Sequence, residues 1–166
     1  MSAITVSNVD WSIIAAVKAA LAAAQVDAQA VFKAVTVTAS RQQAQECQFV
    51  GPAPRVVVRY VTTAERTSPQ DVRGCYVALE LIVSAQVSPA ADESQRVQEI
   101  LRLANAAKNA VECSPPQQAS AWGDSAYYHD AVRWGDVDLD VQAESPWIVC
   151  HLPVTIGFAL ETGTQH

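Results

Sequence analysis

The clearest pattern in the chain is the alternation from Trp147 to Leu160. Ile148, Cys150, Leu152, Val154, Ile156, Phe158 and Leu160 are all apolar, and Trp147, Val149, His151, Pro153, Thr155, Gly157 and Ala159 fill the places between. Successive strand side chains point to opposite faces, so this spacing predicts one long strand with a continuous core face and a more variable second face. At about 14 residues it far exceeds an ordinary strand of about 5–6. Val77, Leu79, Leu81, Val83, Ala85 and Val87 alternate in the same way with Ala78, Glu80, Ile82, Ser84 and Gln86 and predict a second long strand.

Shorter strands are expected over Val31–Ala39, interrupted by Lys33, and over Arg55–Thr62, with Val56, Val58 and Tyr60 on one face. Another is expected over Asp136–Gln142, opened by Gly135. Helical spacing appears twice. Ile13, Ile14, Val17 and Leu21 follow a possible cap at Asp10 and sit in an alanine-rich run ending near Ala24. Val97, Ile100, Leu101, Ala104 and Val111 form the second stripe, for which Ser88 supplies a hydroxyl cap, Pro89 the first turn, and Pro115-Pro116 the stop. The stretch Arg41–Gln48 is polar and Gln-rich, Thr63–Arg73 reads as a polar loop, and no periodicity survives from Ser114 to Trp134. Irregular segments of that length are often functional or ordered by a partner.

The element order is then α-β-β-β-α-β-β. Short connections between consecutive strands favour antiparallel pairing. The expected fold class is α+β, a mainly antiparallel β-sheet with two helices packed on one face. The 166 residues form a single domain (1–166), with the irregular aromatic-rich segment at 114–134 and no repeat or dividing linker.

Composition narrows the function classes. A formal net charge of −6 disfavours a sequence-independent nucleic-acid binder, which needs a basic face to neutralise phosphates. No apolar run reaches the length of a membrane span. The first ten residues carry neither basic residues nor a signal-type apolar core, so a cytoplasmic protein is expected. Cys47, Cys75, Cys113 and Cys150 lack the spacing of a zinc site and read as reduced thiols, with Cys75 and Cys150 on apolar strand faces.

Candidate chemistry thins out on inspection. Asp136, Asp138 and Asp140 resemble the start of a calcium loop, but the positions that need Gly and Glu hold Val141 and Trp147. In an extended strand such carboxylates also stand about 6.5–7 Å apart, too far for one ion. His129 and Asp130 with Ser125 and Asp124 lack a nucleophile elbow, and His151 and His166 have no spaced partner. The glycines are isolated, so no phosphate loop is present. No catalytic, cofactor or metal residue is assigned, and an enzyme is not expected.

Three features point toward contacts instead. Trp122, Tyr127, Tyr128 and Trp134 either fold into a satellite cluster of their own, or form a partner hot spot, or offer a base-stacking platform. Arg55, Arg59, Arg66 and Arg73 give the middle of the chain a positive bias opposed to the acidic run at 136–140, which suits either solvated charge or head-to-tail contacts. Pro153 cannot donate to a ladder and places the last strand at an edge or a bulge. An edge so bordered by Trp147, Val149 and His151 invites a covering subunit.

The N-terminal helix, the β-meander, the long strand leading through Ser88-Pro89 into a helix, and the terminal hairpin of Gly135–Gln142 with Trp147–Leu160 together resemble the tail terminator proteins of long-tailed bacteriophages and related minor tail (neck) proteins. The resemblance rests on the order and length of elements, and the 114–134 segment fits it least. It implies a structural virion protein of the tail or neck, assembled in the host cytoplasm. Copies would form a homo-oligomeric ring, taken as hexameric, that caps the tail tube, stops its polymerisation and joins the head-tail connector or head-completion protein. Double-stranded DNA would pass through the lumen without specific binding, and no cofactor or membrane is implied. Under this reading Asp136, Asp138 and Asp140 are the candidate lumen lining. Arg55, Arg59, Trp122, Tyr127, Tyr128, Trp134 and Trp147 are candidates for subunit or tube contacts. The alternatives are a head-closure or contractile-injection adaptor, or a small α+β ligand-binding domain or enzyme with a site assembled from distant residues.

Overall fold

In a computed structural model the described residues are 9–47, 49–66, 72–113, 128–142 and 145–161. Helix α1 (Val9–Ala23) leads into a two-stranded hairpin, β1 (Gln25–Val26) and β2 (Gln29–Ala30). Strand β3 (Ala34–Thr38), helix α2 (Arg41–Cys47), strand β4 (Arg55–Arg66), strand β5 (Val72–Gln86) and helix α3 (Glu93–Cys113) follow. Strands β6 (Tyr128–Trp134), β7 (Asp138–Asp140) and β8 (Trp147–Glu161) close the chain. The fold is α+β with a mainly antiparallel sheet.

The sheet runs β3-β4-β5-β8-β6, with β7 also paired to β8. Strands β5 and β8 pair without a register shift from Val72↔Glu161 to Gln86↔Trp147. Strand β4 pairs antiparallel with β5, and Val61 is the extra residue where the register shifts between Tyr60 and Thr62. Only β3 runs parallel to its neighbour, because α2 carries the chain back across the sheet before β4 begins.

The alternation predicted for the last strand holds in full among the described side chains. Ile148, Cys150, Leu152, Val154, Ile156 and Phe158 are buried together with Val77, Leu79, Leu81, Val83, Val56 and Val58. Helices α1 and α3 cover this face with Ile13, Val17, Leu21, Ile100, Leu103 and Val111. Alanine at half of the other positions of α1 favours the helix and lets it lie close to the sheet. The opposite face has a smaller apolar patch, where Ala44 of α2 meets Val57, Ile82 and Val149.

Five sequence expectations need correction. The polar loop expected over Thr63–Arg73 gives Thr63–Arg66 to β4 and Val72–Arg73 to β5. The last strand is interior, flanked by β5 on one side and by β6 and β7 on the other, so its margin is not an edge awaiting a subunit. The polar run after Ser40 is a third helix, on the face opposite the other two. Ser40 starts it, its Oγ accepting from the Gln43 amide at 3.2 Å. The cap of α3 is Asp92 rather than Ser88: Asp92 Oδ1 accepts from the Gln95 amide at 2.8 Å, and Gln95 Oε1 accepts from the Asp92 amide at 2.9 Å. Part of the irregular stretch, Tyr128–Trp134, is strand β6.

One buried cation ties the start of α3 to the sheet. Arg96 is 1% exposed. Its Nε donates to the Ala91 carbonyl at 3.1 Å, and Nη2 donates to those of Ser88 and Pro89 at 3.2 and 3.5 Å. Its Nη1 donates to the carbonyl of Ser145, just before β8. A buried charge is tolerated only when its hydrogen-bonding capacity is filled. Here carbonyl dipoles do so, and they are themselves satisfied in the exchange.

Two stability predictions follow from local geometry. Arg96→Met takes the guanidinium from these partly buried carbonyls, of which that of Ser88 keeps the Ala91 amide, and should cost about 2 kcal/mol in urea unfolding; an unchanged midpoint would show that water replaces the guanidinium without loss. Asp27 and Ala28 join β1 to β2 with φ of 52° and 64°, the region a two-residue turn of this kind requires. Ala28→Gly should therefore raise stability by about 0.5 kcal/mol, and Ala28→Val should lower it.

Candidate functional site

The richest cluster of charged side chains lies on the α2 side of the sheet. Strand alternation sends Arg59 of β4, Glu80 of β5 and His151 of β8 to this face, since their sequence neighbours Val58, Leu79, Leu81, Cys150 and Leu152 are claimed by the core. Register puts Arg59 opposite Glu80. Arg59 Nε donates to Glu80 Oε1 at 3.0 Å, and His151 Nδ1 stands 3.8 Å from Glu80 Oε2. The Arg59 and Glu80 side chains are 13% and 24% exposed. This pair is thus partly shielded from water, and its attraction is stronger than that of a fully solvated pair. Helix α2 contributes Arg41 and Gln45, and a depression of about 250 Å³ opens among these residues.

The acidic run borders this cluster. Asp138 is opposite His151 and Asp140 opposite Val149, so these two share the α2 face, while Leu139 between them turns to the core opposite Cys150. Asp136 is not in the strand; it lies in the break between β6 and β7. All three carboxylates are exposed. The expected continuous acidic strand over 136–142 is thereby reduced to a three-residue strand with one flanking aspartate.

Pro153 explains the break. The Gly135 amide donates to the Pro153 carbonyl at 2.8 Å. In an extended strand the N and C=O of one residue point to the same side, so the missing proline donor also faces this edge. Trp134 pairs with Val154 and Asp138 with His151, which leaves one residue too many on the outer strand. A bulge at this point spares the neighbour an unfilled acceptor. Gly135 is suited to it, because a Cβ there would stand 3.1 Å from Pro153 Cβ.

The remaining candidates separate. Arg55 is 5% exposed and its Nε has no hydrogen-bond partner, so it is not on the surface available to a partner. Trp134 is half-buried against α3: its indole N–H donates to Glu112 Oε1 at 2.7 Å, and Lys108 Nζ stands 5.7 Å from the ring centroid. Trp147 meets Phe49 edge to face, with centroids 5.6 Å apart. Both tryptophans therefore have contacts within the chain. Trp122 and Tyr127 lie outside the described residues, as does the side chain of Tyr128. The expected aromatic surface is represented only by Trp134, and that ring is already engaged.

Sequence reasoning missed the link between His151 and Glu80. The two belong to strands whose pairing is set by core residues, so no spacing rule connects them. The parity of the alternation, which puts Glu80 and His151 on the non-core face, was the available signal. Among the described residues no group of three or more His, Cys, Asp or Glu is placed to hold a metal ion. No described helix is long and apolar enough to cross a membrane. No protein-family model matches the chain, and no curated protein sequence matches it either.

Cys75 and Cys150 are buried on the core face, as the alternation predicts, and Cys113 is exposed at the end of α3. Burial pushes the Cys150 thiol up to about 11, against the pull of the Lys108 charge and with a further push from Asp138. The neutral thiol is the native form. Its stabilisation is complete below the ordinary thiol range and is lost as pH rises through about 11. At pH 8, peptide mapping after brief alkylation should find Cys113 modified and Cys150 intact. Equal labelling of both in the folded protein would contradict the burial argument.

Proposed function

We propose that this chain is a structural subunit of a bacteriophage tail terminator ring, the assembly that caps the tail tube, ends its growth and presents a surface to the head connector. The observation that carries this reading is the breadth of the sheet relative to its cover. Strands β4, β5 and β8 are 12, 15 and 15 residues long. On the second face the described cover is the seven-residue α2. Beyond it Pro153 is exposed, and Tyr76, Ala78 and Thr155 are half-buried. A broad face of small and polar side chains suits docking against a flat partner, such as a neighbouring subunit or a tube end, better than enclosing a small molecule.

Arg59, Trp134 and Trp147 have intrachain partners, which weakens them as the principal contacts. The exposed Asp136, Asp138 and Asp140 keep the lumen role as part of the proposal, since an acidic wall repels phosphates and lets DNA slide.

The test uses purified full-length chain with tail tubes and electron microscopy. A ring at one tube end, together with tails of uncontrolled length when the gene is deleted, is the expected result. A chain that binds no tube end, with tail length unchanged by its deletion, would overturn the reading. Reversing Asp136, Asp138 and Asp140 together should leave the ring intact and reduce DNA passage.

A further inference from the structure

The depression behind α2 has the donors for an anion. Arg59 is mostly buried, and its ion pair to Glu80 is made through Nε, with the two Nη groups at the far end of the fork. Arg41 is exposed in the first turn of α2, lines the same depression, and pairs with no acid among the described residues. Gln45 adds an amide and His151 an imidazole. Glu80 is the one carboxylate among the lining residues. Two guanidinium charges against it leave one net positive charge before His151 is counted, on a chain whose formal charge is −6. Ile82 and Ala44 form an apolar floor, which limits competition from water. Asp138, across from His151, opposes any anion from the open side and limits affinity.

We propose that this depression is a phosphate-binding site, with Arg41 and the Arg59 fork as the charged donors and Gln45 and His151 completing the shell. A planar fork matches phosphate oxygens in pairs, and a partly buried guanidinium held by Glu80 loses little freedom on binding. The phosphate belongs either to a free anion or to a phosphodiester of nucleic acid. The proposal is independent of the ring reading.

The test follows the His151 imidazole resonances of the full chain by NMR, at constant ionic strength, as inorganic phosphate is added. A saturable shift is expected that chloride does not reproduce. Arg41→Gln, an exposed substitution that leaves the thermal midpoint unchanged, should weaken binding about tenfold. Glu80→Gln should strengthen it by removing the competing acid. A short DNA duplex in a parallel titration separates the sources: a stronger response to duplex assigns the phosphodiester, and a response to inorganic phosphate alone assigns the free anion. No saturable shift with either probe, or equal binding by Arg41→Gln, overturns the proposal.

Discussion

Everything in this fold hangs on the uninterrupted ladder between β5 and β8. The two strands lie more than 60 residues apart in the chain, yet every residue from Val72 to Gln86 finds a partner between Trp147 and Glu161. Closing so long a loop is costly in chain entropy, but the cost grows only slowly with length. The compensation comes from burial. The core side chains of both strands are sealed by α1 and α3, and side-chain parity forbids a one-residue slip, which would turn the whole apolar row to the other face. Strands β4, β6 and β7 then add to a template already fixed, and so does the polar cluster across β4, β5 and β8.

Arg96 anchors one end of that ladder. Through it the turn that leaves β5, the first turn of α3 and the approach to β8 share one guanidinium. The stretch 88–91 runs straight into α3, whereas Ser145 lies 49 residues beyond Arg96 in the chain. A planar group with several fixed donors can gather two distant chain segments where a hydrophobic contact would allow them to slide. The charge is held without a carboxylate partner among the described residues, so its strength depends on carbonyl geometry.

The sequence was most legible where one face of an element is wholly apolar. Strands β5 and β8 and helices α1 and α3 declare themselves through period alone. Helix α2 does not, because Ala44 is the one buried apolar side chain among those described in it, and its start is marked by Ser40 with Gln43 three residues on. Strand β6 is hidden because its register shifts between His129 and Val132, so the alternation that would reveal it is broken. Pro153 was informative and ambiguous at once: a missing donor marks an edge or a bulge, and here the neighbouring strand takes the bulge. The charged cluster was the least legible part. Arg59 reads as a free cation until the ladder delivers Glu80 to it.

The interruption opposite Pro153 divides the outer margin of the sheet into two separately docked pieces. Strand β6 holds to the distal half of β8, and β7 holds to the proximal half through three residue pairs. Loss of one piece does not unzip the other, because no ladder hydrogen bonds run continuously between them. A three-residue strand such as β7 contributes few ladder bonds, the kind of element that opens before global unfolding. The aspartate-bearing margin thus rests on Leu139 and three residue pairs, while Gly135 in the gap and Pro153 in β8 fix where it begins.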